Sequence, residues 1–94
     1  MYTASATVTT TSGARYLNRL CKHWSHKFNV TTTDSTGEVL FDPDRLLLVA
    51  NAENLTLTLE CVEQSNLLRF EPVVAEHLQR MANSEPLIIE WTRA

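Results

Sequence analysis

Apolar and polar positions along this chain fall into two periods, and the switch between them marks its elements. In Ser12 to Phe28 the residues Ala14, Leu17, Cys21, Trp24 and Phe28 recur at spacings of three and four. That spacing puts them on one stripe of an α-helix. Arg15, Arg19, Lys22 and His26 gather on the opposite face, with His23 on its shoulder. Ahead of the helix, Tyr2, Ala4, Ala6 and Val8 alternate with Thr3, Ser5, Thr7 and Thr9, the period of a half-buried strand. Thr11-Ser12-Gly13 breaks that strand, with Ser12 as the expected N-cap. The helix is expected to run to about Lys27. Lys22, Lys27 and both nearby histidines then lie in its last two turns, where cations suit the helix dipole.

Short strands follow, separated by turn signals. Phe28, Val30 and Thr32 alternate, Asp34-Ser35-Thr36-Gly37 reads as a hairpin turn, and Val39 and Phe41 share one side of the next strand. Asp42-Pro43-Asp44 is a second turn. Arg45 to Ala50 is almost wholly apolar, so a central strand at least partly covered on both faces is expected. Asn51 to Asn54 turns the chain, and Leu55, Leu57, Leu59 and Cys61 then alternate with Thr56, Thr58 and Glu60. The helical period returns from about Ser65 to Ala82, with Leu67, Phe70, Val73, Val74, His77, Leu78 and Met81 on one face. Pro72 cannot donate a backbone hydrogen bond, so this helix is expected to kink there or to begin near Glu71. Asn83-Ser84-Glu85-Pro86 ends it, and Leu87, Ile89 and Trp91 form the inward side of a last strand.

The element order is β-α-β-β-β-β-α-β, and residues 1–94 read as one domain. Hairpin-linked strands make an antiparallel sheet, expected to have five or six strands. Both amphipathic helices must cover one face of it, giving an α+β two-layer sandwich. The expected core contains Leu17, Cys21, Trp24, Leu57, Leu59, Phe70, Val74, Leu78, Ile89 and Trp91. The other face, rich in Thr, Ser and Glu, meets water or a partner.

Charge changes this picture in one respect. The net charge is −3, but residues 1–33 hold Arg15, Arg19, Lys22 and Lys27 and no acid, while all eleven acids come later. The first helix therefore offers a basic face, which is either a solvated surface or a docking site for an anion or an acidic partner. Nucleic-acid binding needs a broader basic surface than four cations on one helix. No apolar run is long enough to span a bilayer, and the first residues lack the pattern of a secretory signal. The two cysteines sit at apolar positions and make no disulfide framework, which points to a reducing cytoplasm.

Chemistry in the sequence is sparse. There is no nucleophile motif, no phosphate-cradling glycine loop and no acid pair, so the expectation is a domain that is not an enzyme by itself. His23 and His26, three apart, are the pair with metal-ligand spacing; a third ligand is not evident, and Cys21 lies on the far side of the helix. His77 falls within an apolar stripe, where a histidine is commonly a hydrogen-bonded core residue. Trp24 and Trp91 likewise read as core.

At Leu20 to Lys27, LCKHWSHK, the sequence resembles a bacterial family known as Domain of Unknown Function 2218. The first strand with Ala14 to Leu17 (ARYL), the helix Val73 to Ala82 (VVAEHLQRMA) and Glu85 to Trp91 (EPLIIEW) are similar to it as well, so the resemblance covers nearly the whole chain. Met81 stands where an aromatic is more usual, and Asn83-Ser84 replaces a more basic turn. By the motif match, the positions to watch are Cys21, Lys22, His23, His26, Lys27 and His77. The family has no established activity, and some members adjoin siderophore-interacting flavoprotein reductases. The resemblance implies a small cytosolic accessory domain linked to iron or siderophore handling, with such a reductase as its acidic partner. A metal- or haem-binding protein using His23 and His26 is the alternative.

Overall fold

In the computed structural model, which describes all of Met1–Ala94, the longest ladder joins the first strand to the fifth. β1 (Tyr2–Thr9) pairs antiparallel with β5 (Asn54–Cys61), from Tyr2 opposite Cys61 to Thr9 opposite Asn54. β2 (Asn29–Thr32), β3 (Thr36–Leu40) and β4 (Arg45–Ala50) follow one another as a meander on the far side of β5, and β6 (Thr92–Arg93) adds two residues beyond β1. The strand order is β2-β3-β4-β5-β1-β6, antiparallel throughout. α1 (Gly13–Trp24) and α2 (Gln64–Met81) lie on the one face that carries Ala4, Ala6, Val8, Leu46, Leu48, Leu55, Leu57 and Leu59. This is the α+β two-layer sandwich that the two periods predict.

The single-sided cover settles how β4 sits. Leu46, Leu48 and Ala50 are buried under the helices, while Leu47 is half-buried and Val49 exposed on the open face. The expected double cover of this strand is therefore wrong: its apolar run reflects strand-forming side chains on a face that no element covers. The same open face carries Arg45 between Glu38 and Glu60, an ion-paired trio from three neighbouring strands.

Other boundaries differ for identifiable reasons. α1 stops at Trp24, short of Lys27, because the chain turns over Ser25–Lys27: Phe28 N–H and Lys27 N–H both donate to Trp24 O, and Ser25 Oγ donates to Lys22 O. Its inward residues are Gly13, Tyr16, Leu17, Leu20, Cys21 and Trp24, so the true stripe is turned from the expected one and Ala14 is exposed. Ser12 occupies the N-cap position but its side chain caps nothing; Thr10 Oγ1 instead accepts the Ser12 N–H. Gly37 belongs to β3 and not to the turn, which is Thr33–Ser35 and closes through Thr33 Oγ1. A Cβ on Gly37 would stand 2.7 Å from Cys21 Sγ, so the missing side chain lets α1 lie close on the sheet.

α2 runs unbroken through Pro72, so it does not begin near Glu71. Its first turn is steadied by Asp44, buried in the β3–β4 turn: Oδ1 accepts the Val62 N–H and Oδ2 accepts Asn66 Nδ2. The final strand is much shorter than the alternation predicts. Leu87, Ile89 and Trp91 are half-buried against the core as expected, but only Thr92 and Arg93 pair with β1. Side chains replace the missing ladder: Gln79 bonds Ala82 O, Glu85 O and Leu87 N–H, and Arg93 makes a two-pronged pair with the buried Glu71 carboxylate. Of the expected core, Leu17, Cys21, Trp24, Leu57, Leu59, Val74 and Leu78 are buried, whereas Phe70, Ile89 and Trp91 are only partly so.

Candidate functional site

α1 and α2 pack antiparallel, and this decides which of their residues meet. Arg19 Nη1 donates to Met81 O at 3.0 Å, near one end of the pair. One turn further along α1, the His23 and His77 rings are 5.7 Å apart, and Trp24 lies 5.4 Å from His77. Beyond Trp24 the helices are joined by a hairpin. Asn29 pairs with Leu40, so Phe28 and Phe41, the next residues outward, come opposite one another. Their rings touch edge to face at 4.8 Å, Phe41 meets Trp24 the same way at 5.3 Å, and Phe41 stacks on Phe70 of α2 at 4.9 Å. Four aromatic rings from four separate segments thus form one wall.

The space they bound is a pocket of ≈ 380 Å³, lined by His23, Trp24, His26, Lys27, Phe28, Phe41, Phe70, Val73 and His77. All three histidines of the protein reach it. His77 Nδ1 is 2.7 Å from Val73 O. A carbonyl oxygen only accepts, so Nδ1 carries the proton and Nε2 is the free nitrogen of the neutral ring. The lining contains no carboxylate, hydroxyl or thiol. Its charged or chargeable groups are Lys27 and the three imidazoles.

The sequence-derived site residues divide. His23, His26, Lys27 and His77 line the pocket; Arg15, Arg19, Lys22 and Cys21 do not. Because α1 ends at Trp24, His26 sits in the turn after the helix and leaves the stripe formed by Arg15, Arg19 and Lys22. The ion pairs of the protein join Arg45 to Glu38 and Glu60, Arg80 to Glu76 and Arg93 to Glu71, so Arg15, Lys22 and Lys27 have no carboxylate within salt-bridge reach. Arg19 is held by the Met81 carbonyl. Cys21 and Cys61 face the core, where burial pushes both thiols up to about 11. No three His, Cys, Asp or Glu side chains come together as a metal-holding cluster, so the structure gives His23 and His26 no third ligand.

Sequence reasoning assigned Trp24, Phe28 and Phe70 to core stripes and did not gather them with Phe41 into a site. A signal was present: a hairpin centred on Asp34 and Ser35 places Phe28 and Phe41 at equal distances from its tip. The contribution of α2 needed the helix–helix register, which no local pattern carries.

Residues 5–92 match the family described as an uncharacterized protein conserved in bacteria (DUF2218), and the chain belongs to that family. Its structure is similar to the NMR structure of PA4090 from Pseudomonas aeruginosa, with 43% identity and a TM-score of 0.83, covering 98% of this chain and 96% of that one. No curated protein matches the chain. No helix is long and apolar enough to cross a membrane.

Proposed function

We propose that this DUF2218 domain is a binding module whose working site is the aromatic, histidine-edged pocket where α1 ends against α2. The observation that supports this is convergence. Trp24, Phe28, Phe41 and Phe70 come from four segments, and with the three histidines they surround one concave space. Small-molecule sites have this character, apolar and aromatic walls with a few polar groups, and volumes from about 300 Å³ upward. A lining without a carboxylate favours binding over acid-pair chemistry. The test is a small-fragment screen followed by amide and indole NMR shifts. Fragments that bind should move the Trp24 indole and the His77 signals together. Binders that scatter over the surface, or none at all, refute the reading.

A second reading concerns partners, and one observation favours it: Arg15 and Lys22 are exposed on α1 without an opposing acid. These cations, with Arg19, would dock an acidic protein, and the family resemblance names a siderophore-interacting flavoprotein reductase as the first to try. Binding should weaken as salt rises and weaken further in an Arg15→Glu, Arg19→Glu variant. Equal binding by that variant, with no salt dependence, ends this reading.

A further inference from the structure

We propose that the pocket selects a flat aromatic ring carrying a carboxylate or similar anionic group, an inference that rests on the pocket being a ligand site. Two features argue for it together. The first is the wall. Trp24 and Phe28 meet Phe41 at 84° and 83°, while Phe41 and Phe70 are nearly parallel at 15°. Perpendicular and parallel rings side by side present both edges and faces, and another ring matches them by stacking on one and meeting the other edge-on. An aliphatic group of equal size gains burial alone.

The second feature is charge. The lining offers Lys27 and three imidazoles and no acid. The acids on the surrounding elements are engaged or turned elsewhere. Glu76, beside His77 on α2, pairs with Arg80; Asp44 holds the Val62 N–H and Asn66; Asp42, beside Phe41, opens on a separate hollow next to Asn29 and Leu40. Another cation, Arg69, stands by the wall, its guanidinium carbon 5.3 Å from the Phe70 ring centre. The charged and chargeable side chains that an anion entering this space would meet are Lys27 and the three imidazoles.

Three flat or bulky probes separate the contributions: 2-naphthoate, its neutral planar counterpart 2-naphthamide, and the saturated anion decalin-2-carboxylate. Each is titrated by calorimetry, with NMR shifts reporting the place. The expected result is that 2-naphthoate binds at Trp24 and His77, and that each of the other two binds about tenfold more weakly or worse. Lys27→Ala, at an exposed position, should weaken 2-naphthoate and leave 2-naphthamide unchanged, while Phe41→Leu should weaken both planar probes. If 2-naphthamide binds as tightly as 2-naphthoate, the anionic class is wrong and the pocket stands. If the decalin acid binds as well, the planar class is wrong. If no probe moves the Trp24 or His77 signals, both this inference and the binding-module reading fall.

Discussion

At one end of the α1–α2 pair the gap between the helices is tied shut; at the other it is left as a pocket. The shut end uses directed bonds. Tyr16 Oη donates to Glu85 Oε1 at 2.6 Å, Thr10 Oγ1 donates to the same oxygen at 3.0 Å, and Gln79 bonds the chain on both sides of that residue. The open end uses rings, which fill space without consuming every polar atom. His77 spends one nitrogen on Val73 O and keeps the other. A hydrogen-bonded closure fixes a single geometry, whereas a wall of aromatic edges and faces leaves a shape that another ring can complete. The contrast separates residues kept for folding from residues available for binding.

The largest expected effect tests where that border runs. Trp24 is 5% exposed, with its inner side in the core and its rim on the pocket. Trp24→Ala should cost about 3–5 kcal/mol, of the same order as the whole stability of a domain this size. Chemical denaturation measures it, and a loss below about 1 kcal/mol would move Trp24 out of the fold and wholly into the site.

A pair of smaller changes sharpens the contrast. Gln79→Ala at the shut end removes three hydrogen bonds that hold residues 82–87, and should cost about 1–3 kcal/mol. Lys27→Ala at the open end should change stability by no more than about 0.5 kcal/mol. Matching losses in the two denaturation curves would erase the distinction between the ends.

The smallest effect is one of pH. The hydrogen bond to Glu85 is the main reason the Tyr16 phenol titrates above its usual value, with burial adding to it. A raised folded value means that the neutral phenol is what stabilises the fold. Its contribution is complete below pH about 10 and is lost as pH climbs through the raised value. Wild-type stability should therefore fall above pH 10 more steeply than that of Tyr16→Phe, and parallel curves would show that this bond does not couple to folding.

The layers of the fold were legible along the chain; the bonds that tie the shut end and the aromatic wall of the open end were not. Strand and helix periods disclosed the layers because each element buries one face on the same sheet. The stop of α1 was not legible: no Gly or Pro follows Trp24, and Ser25–Lys27 reads as continued helix until its turn bonds are seen. Since His26 and Lys27 reach the pocket from that turn, the site inherited the same opacity. The final strand failed for a different reason. Leu87, Ile89 and Trp91 do alternate, but side-chain bonds from Gln79 and Arg93 hold the segment where a ladder was expected, and alternation does not reveal which of the two is used.

The close approach of Cys21 to Gly37 makes these two positions interdependent over the course of sequence change. With the sulfur in place, a methyl group at 37 lands 2.7 Å from it and forces α1 off the sheet or the thiol out of its niche. With alanine at 21, the space left by the sulfur receives that methyl group. Gly37→Ala should thus destabilise the parent and be better tolerated after Cys21→Ala, so the cost of each replacement depends on which arises first.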